Sequence, residues 1–221
     1  MILTCKGFLF DLDGTLVDSL SGVEYCWKKF SHRIGISETD VLKYIHGKPA
    51  ITSIRHFMPH TNESDIKKIF YWLENMEKKN ISGIAAMPGA ISFLKKLNKF
   101  SIPWAIVTSS TISIAFNRIK TAGLPKPSHL ITAEQVEKGK PYPDPFFLGA
   151  KLLGLPPNAC IAIEDAEAGI YSALDAGCQV IALNAKLDMP RRKEISIIIQ
   201  SFHELNISQS DNQCTVRIDN V

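Results

Sequence analysis

Short, uninterrupted apolar runs recur along the chain at residues 7–10, 104–107, 129–131, 161–163, 180–183 and 197–199. Runs this short, bounded by turn residues, read as strands buried on both faces rather than on one. Most intervals between them carry apolar residues at helical spacing. Strands without apolar/polar alternation, separated by helices, build a parallel sheet covered on both sides. The pattern therefore predicts an α/β fold with a Rossmann-like parallel sheet.

One interval breaks the rhythm. From Asp18 to about Ser82 there is no strand-like run, and helical patterns instead cover 20–33, 38–45, 51–57 and 63–79. This predicts a helical domain, residues 17–82, inserted into a core made of 1–16 and 83–221. The Gly14-Thr15 turn and the stretch 81–89, which holds Pro88, border the insert as hinges. Near the end, residues 208–212 are polar and turn-like. The alternating run 214–218 either adds an edge strand or hangs loose.

Composition adds limits. With 221 residues and 45% hydrophobic content the chain buries a full core, so neither a disulfide nor a structural metal is needed to hold it. The net charge of +3 comes from dispersed basic residues, which gives no footprint for nucleic acid. Five cysteines without a Cys-x-x-Cys pair indicate neither a disulfide framework nor a zinc site. A reduced, cytoplasmic setting is expected. The first residues run straight into Asp11 and Asp13 with no signal-peptide apolar stretch, and the charge-free run 100–117 holds Pro103 and too many hydroxyl and amide groups to span a membrane. A monomer is the default expectation.

Open α/β sheets bind ligands beyond the carboxyl ends of their strands. The first core strand ends in Asp11-Leu12-Asp13-Gly14-Thr15, the second in Thr108-Ser109, and the fourth in Glu164-Asp165, while Lys140-Pro141 lies in the loop after the third. If these ends converge, four carboxylates share one cavity with a lysine and hydroxyls. That much negative charge protonates some carboxylates unless a cation is present, and a hard, oxygen-liganded ion such as Mg²⁺ suits the donors. Together these are parts for phosphoryl transfer: a carboxylate nucleophile, a second carboxyl for proton transfer, a metal, and donors for phosphoryl oxygens.

Simpler readings fail on particulars. Gly139-Lys140 is not a phosphate-binding P-loop, because Glu134 stands where that motif needs glycine and Pro141 where it needs Ser or Thr. His56 and His60 are spaced like zinc ligands, yet Pro59 lies between them and no third ligand follows. Trp27, Phe70 and Trp72 read as the core of the insert, and Thr111 as a helix cap.

These segments, in this order, resemble the four motifs of the haloacid dehalogenase superfamily across nearly the whole chain. Residues 8–19 resemble the first motif, Val107-Thr108-Ser109 the second, Lys140-Pro141-Tyr142-Pro143-Asp144 the third, and Glu164-Asp165-Ala166 with Ala168-Gly169 the fourth. Glu167 stands where the fourth motif often has a small or apolar residue. The position of the insert resembles the β-phosphoglucomutase-like subgroup with its helical cap, and within it the sugar-phosphate and hexitol phosphatases of enterobacteria. The resemblance implies a Mg²⁺-dependent phosphatase of small sugar or sugar-alcohol phosphates. It implies that Asp11 attacks phosphorus, that Asp13 is the acid and base, and that Thr108, Ser109, Lys140 and the backbone at Leu12 and Asp13 hold phosphoryl oxygens. Asp11, the Asp13 carbonyl and Asp165 would hold Mg²⁺, with Glu164 supporting through water. The loop 44–50 resembles the subgroup's specificity loop, and Lys48 and Arg55 are candidates to reach the sugar phosphate. A sugar phosphomutase is the same-fold alternative, and a non-catalytic phosphosugar-binding protein the alternative of another class.

Overall fold

The computed structural model describes residues 1–210 and 213–218. From the N-terminus it contains β1 (Ile2–Cys5), β2 (Gly7–Phe10), β3 (Val17–Asp18) and then four helices, α1 (Leu20–Ile34), α2 (Glu38–Ile45), α3 (Ala50–Phe57) and α4 (Glu63–Lys79). Next come β4 (Ala85–Ala86), α5 (Ala90–Lys99), β5 (Trp104–Val107), α6 (Ile112–Thr121), β6 (His129–Ile131), α7 (Asp144–Leu152), β7 (Cys160–Glu164) and α8 (Glu167–Asp175). The chain continues through β8 (Gln179–Leu183), β9 (Ile197–Ile199), β10 (Leu205–Ser210) and β11 (Gln213–Ile218). Each apolar run singled out in the sequence is a strand of one parallel sheet, ordered β6-β5-β2-β7-β8-β9.

The unbroken hydrophobicity of these strands follows from what covers them. Along β2, Phe8 and Phe10 face one core with Phe93 of α5, Trp104 and Phe202, while Leu9 faces the other with Phe146 of α7. Successive side chains point to opposite faces, so a strand with two buried faces has no polar position to offer.

The helices α1–α4 pack around a separate cluster that includes Cys26, Trp27, Phe30, Ile54, Ile66 and Leu73. Local signals start and stop them. Ser37 and Asn62 accept from the amides of Asp40 and Asp65, and α4 carries Glu63 and Asp65 in its first turn and Lys78 and Lys79 in its last, which complements the helix dipole. The two connections between this bundle and the sheet run side by side, because β3 pairs antiparallel with β4. No helix among the described residues is long and apolar enough to cross a membrane.

The C-terminal segment departs from expectation. Residues 208–210, read as turn, belong to β10, and 214–218 is the central strand of an antiparallel sheet ordered β1-β11-β10 rather than an edge or a loose tail. Asp211 and Asn212, part of the same expected turn, lie outside the described residues. The cause is tertiary: Cys214, Val216 and Ile218 alternate onto the Phe93 and Phe202 side of the core, and the strands on either side satisfy the backbone of β11. Polarity between the buried positions of β10 reads locally as loop.

Candidate active site

The strand order reverses at β2, with β5 and β6 on one side and β7 to β9 on the other, which opens a crevice at the carboxyl ends. Phe10 is in register with Ile106 and with Ile163, so Asp11, Thr108, Glu164 and Asp165 emerge within a rung or two of one another. The Asp11 amide donates to the Ile163 carbonyl at 3.0 Å. Lys140, from the loop between β6 and α7, enters from beneath. Its Nζ lies 2.6 Å from Asp11 Oδ1 and 2.6 Å from Glu164 Oε1, and donates to the Val107 carbonyl at 2.9 Å. Thr15 donates to Asp165 Oδ1 at 2.7 Å, and the Ala166 amide to Glu164 Oε2 at 2.9 Å.

The charges explain what such a cluster requires. Burial pushes the Asp11 carboxyl well above its ordinary range, Lys140 opposes the shift, and Glu164, Asp165 and Asp13 add to it. Asp165 is pushed up to about 7, by burial first and then by the Glu164 charge. Burial works against the Lys140 charge, yet Asp11 and Glu164 more than offset it and keep the ammonium above its ordinary pKa. One lysine thus pairs with two buried carboxylates, while the half-buried Asp165 beside them has the Thr15 hydroxyl instead. Ligand oxygens from Asp11, Glu164 and Asp165 all lie within 4.8 Å of one another, so the donor set fits a hard divalent cation.

Two glycines make room for these carboxylates. A Cβ on Gly14, whose φ is +89°, would lie 2.2 Å from Asp165 Oδ2, and one on Gly169 in α8 would lie 1.6 Å from Glu164 Oε1. Gly169→Ala should therefore destabilise the protein. Alanine favours a helix over glycine by up to about 1 kcal/mol, but forcing a methyl onto a fixed, buried carboxylate costs about 1–3 kcal/mol or more. A lower urea midpoint with unchanged slope checks this; a raised midpoint would show that Glu164 moves freely.

Asp13 is held apart from that cluster. Its Oδ1 accepts from Ser19 at 2.6 Å, its Oδ2 accepts from Ser110 at 2.8 Å, and the Arg118 guanidinium pairs with the same Oδ2 at 2.6 Å. Arg118 also donates to Ser110 at 2.9 Å and, through its other amino group, to Glu77 of α4 at 2.8 Å. Sequence reasoning did not anticipate Ser19, Ser110, Arg118 or Glu77. A signal existed for two of them. Glu77 continues the apolar stripe of Ile66, Phe70 and Leu73, and Arg118 sits between Ala115 and Ile119 on the buried face of α6. Charges at such positions are rare unless paired. Burial works against the Arg118 charge, and Asp13 and Glu77 outweigh it, so its pKa stays above its ordinary value. Glu77 is pushed up by burial, with Arg118 opposing.

Above the strand tips lies a cavity of about 330 Å³ between the sheet and the helices α1–α4, in the range of small-molecule sites. Asp11, Asp13, Thr108, Ser109 and Asp165 form its floor, and Lys48 and Arg55 its wall. Thr108 Oγ1 accepts from the Ser110 amide at 3.1 Å, and Ser109 Oγ donates to the Gly47 carbonyl at 2.8 Å, tying the sheet to the loop after α2. Leu12 is fully buried and its carbonyl accepts from the amides of Leu16 and Val17, which leaves its amide as the group able to meet a ligand. Lys48 Nζ lies 3.4 Å from the centre of the Tyr44 ring, and Arg55 forks onto Glu63 at 2.9 Å through two nitrogens, facing solvent more than the carboxylates.

Trp27, Phe70 and Trp72 belong to the helical core as read, and Trp27 and Phe70 also line the cavity. One expectation needs correction. Thr111 stands at the N-cap of α6, yet its hydroxyl donates to Glu74 at 2.6 Å, while the Glu134 carboxylate takes the Ile112 amide. The hydroxyl is drawn away from the helix amides by a carboxylate of α4, and Glu134 satisfies the first amide of α6.

The family model described as haloacid dehalogenase-like hydrolase matches residues 8–183. The chain is 51% identical over 210 residues to hexitol phosphatase A of Escherichia coli (strain K12), covering 95% of this chain and 97% of that one. It is 30% identical over 220 residues to glycerol-1-phosphate phosphohydrolase 2 of Saccharomyces cerevisiae, covering 93% and 86%. Among solved structures, β-phosphoglucomutase from Clostridium difficile superposes with a TM-score of 0.82 at 23% identity, covering 91% of this chain and 93% of that one, a likeness of fold. With its buried carboxylates, its lysine and its inserted helices in the order that the family model spans, the chain belongs to the haloacid dehalogenase-like hydrolases.

Proposed function

We propose that the protein is a Mg²⁺-dependent phosphatase of small phosphorylated sugars or sugar alcohols, acting through a phosphoryl group carried on Asp11. The observation that carries this reading is Asp11 on the floor of a sugar-sized cavity, paired with the fully buried Lys140 beneath it, with Asp13 independently held at its side. The 51% identity to a hexitol phosphatase supports the substrate class.

Lys140 orients Asp11 by one oxygen, and the other oxygen attacks phosphorus while the bond to the sugar oxygen breaks. Asp13 delivers a proton to that leaving oxygen, then takes one from the water that attacks the aspartyl phosphate, which restores Asp11 and releases phosphate. Thr108 and the amides at Leu12 and Asp13 receive the phosphoryl oxygens; Ser109 joins them once its hydroxyl leaves the Gly47 carbonyl, and Lys140, whose three donors are held by Asp11, Glu164 and the Val107 carbonyl, lends its charge from beneath. Asp11, the Asp13 carbonyl and Asp165, backed by Glu164, would hold Mg²⁺, which when bound neutralises charge on the carboxylates and the phosphoryl group. The helical unit, residues 17–82, acts as a cap that turns on the paired strands β3 and β4 and excludes water when shut. Lys48 meets the sugar phosphate from the cap, and Arg55 contributes once it leaves Glu63.

The test is phosphate release from a panel of hexitol, hexose and pentose phosphates, with and without Mg²⁺. Metal-dependent release from at least one ester is expected. Isomerised sugar phosphate without free phosphate would replace this reading with a phosphomutase, and no turnover with tight ligand binding would replace it with a binding protein. A second expectation concerns the metal alone. At about 100 times its Kd, Mg²⁺ should raise folding stability by about 2.7 kcal/mol by mass action, and Asp165→Asn should remove most of that gain in thermal melts. An equal gain in the variant would move the ion elsewhere.

A further inference from the structure

We infer that Arg118, held by Glu77 from the helical cap, is a positioning residue for Asp13, so that proton transfer depends on how α4 is seated against α6. This rests on the phosphatase reading above and extends it to residues outside the family's four motifs.

The geometry is specific. Asp13 Oδ2 meets both Ser110 Oγ at 2.8 Å and an Arg118 nitrogen at 2.6 Å, and that nitrogen also donates to Ser110 at 2.9 Å, closing a three-membered ring of contacts. The second guanidinium nitrogen lies 2.8 Å from Glu77 Oε2. A planar fork spanning two carboxylates fixes direction as well as charge, which a lysine would not do. Arg118 is only 5% exposed, so neither contact is a solvent-averaged surface pair.

The two carboxylates come from different units. Asp13 follows β2 of the sheet, and Glu77 lies in the last turns of α4, within the inserted helices. Any rotation of the insert on the β3–β4 ribbon that lifts α4 off α6 must break Glu77–Arg118. The guanidinium then loses one of its two anchors, and Asp13 loses a fixed partner. Glu77 also balances the cation, so Arg118 aims the Asp13 carboxylate without leaving an excess positive charge beside it.

A merely structural clamp between α4 and α6 would fit the same contacts, so the test uses leaving-group chemistry. The specificity constant kcat/KM covers the steps up to departure of the leaving group. A hexitol phosphate must expel an alkoxide and needs the proton that Asp13 supplies. The aryl ester 4-nitrophenyl phosphate expels a stable phenolate and does not. General acid catalysis contributes about 10²- to 10⁴-fold, and misaiming the acid should forfeit a large part of it. Arg118→Gln is expected to lower kcat/KM on the hexitol phosphate by about 10- to 100-fold and on the aryl ester by less than about threefold. Glu77→Gln should show the same selectivity at smaller size. Arg118→Gln leaves Glu77 buried without its cation. If that variant fails to fold, the double variant Glu77→Gln/Arg118→Gln, which removes both charges, carries the comparison.

Equal losses on both esters, or no loss on either, overturn the inference while the phosphatase reading stands. A selective loss in Arg118→Gln with none in Glu77→Gln overturns the link to the cap. A wild type that releases phosphate from neither ester fails the phosphatase reading itself, and the inference falls with it.

Discussion

Asp11→Asn should abolish phosphate release, by about 10⁴-fold or more, while the protein stays folded. Asparagine keeps the shape of the side chain but not the nucleophilic oxygen. Nothing else in the floor replaces it: Asp165 is bonded to Thr15, and Glu164 is held by Lys140 and the Ala166 amide. The fold survives because Lys140 retains Glu164 and the Val107 carbonyl, and because one of three crowded carboxyls loses its charge. Parallel phosphate-release assays and thermal melts of wild type and variant check both halves. Residual turnover within tenfold of wild type would place the nucleophile elsewhere, and a collapsed melting curve would make the residue structural.

Lys140→Met has the largest expected effect on stability. Its ammonium is fully buried and pairs with two carboxylates at 2.6 Å. Taking one partner from a buried ion pair costs about 3–5 kcal/mol, because the remaining charge is stranded out of water. Two carboxylates are stranded here, although some of the penalty is relieved when they take up protons. The loss is read from urea denaturation without divalent cation. Added Mg²⁺ should recover part of it by replacing the missing positive charge, more than it adds to wild type. A cost below about 1 kcal/mol, the size of a surface pair, would show that water already reaches the cluster.

Much of the fold was legible because a two-sided parallel sheet leaves an unmistakable pattern. Strands such as Trp104–Val107 and Cys160–Glu164 are buried along their whole length, and the helices of the insert carry ordinary caps and apolar stripes. The small antiparallel sheet was not legible. Its strand β10 is mostly polar and β1 is short, and both are strands because β11 lies between them.

The site divides the same way. Asp11, Asp13, Thr108, Lys140, Glu164 and Asp165 were readable as chemistry-bearing residues at strand ends and loops, because topology brings such ends to one edge. Which of them touch was not readable. Lys140 pairs with Asp11, 129 positions away, and Glu77 with Arg118, 41 positions away. Local pattern determined the elements, their order and the residue types available at the crevice. Only the tertiary structure decided the partners, because a buried charge is stable solely where packing places its counter-charge within hydrogen-bonding distance, and no periodicity along one segment records what another segment brings.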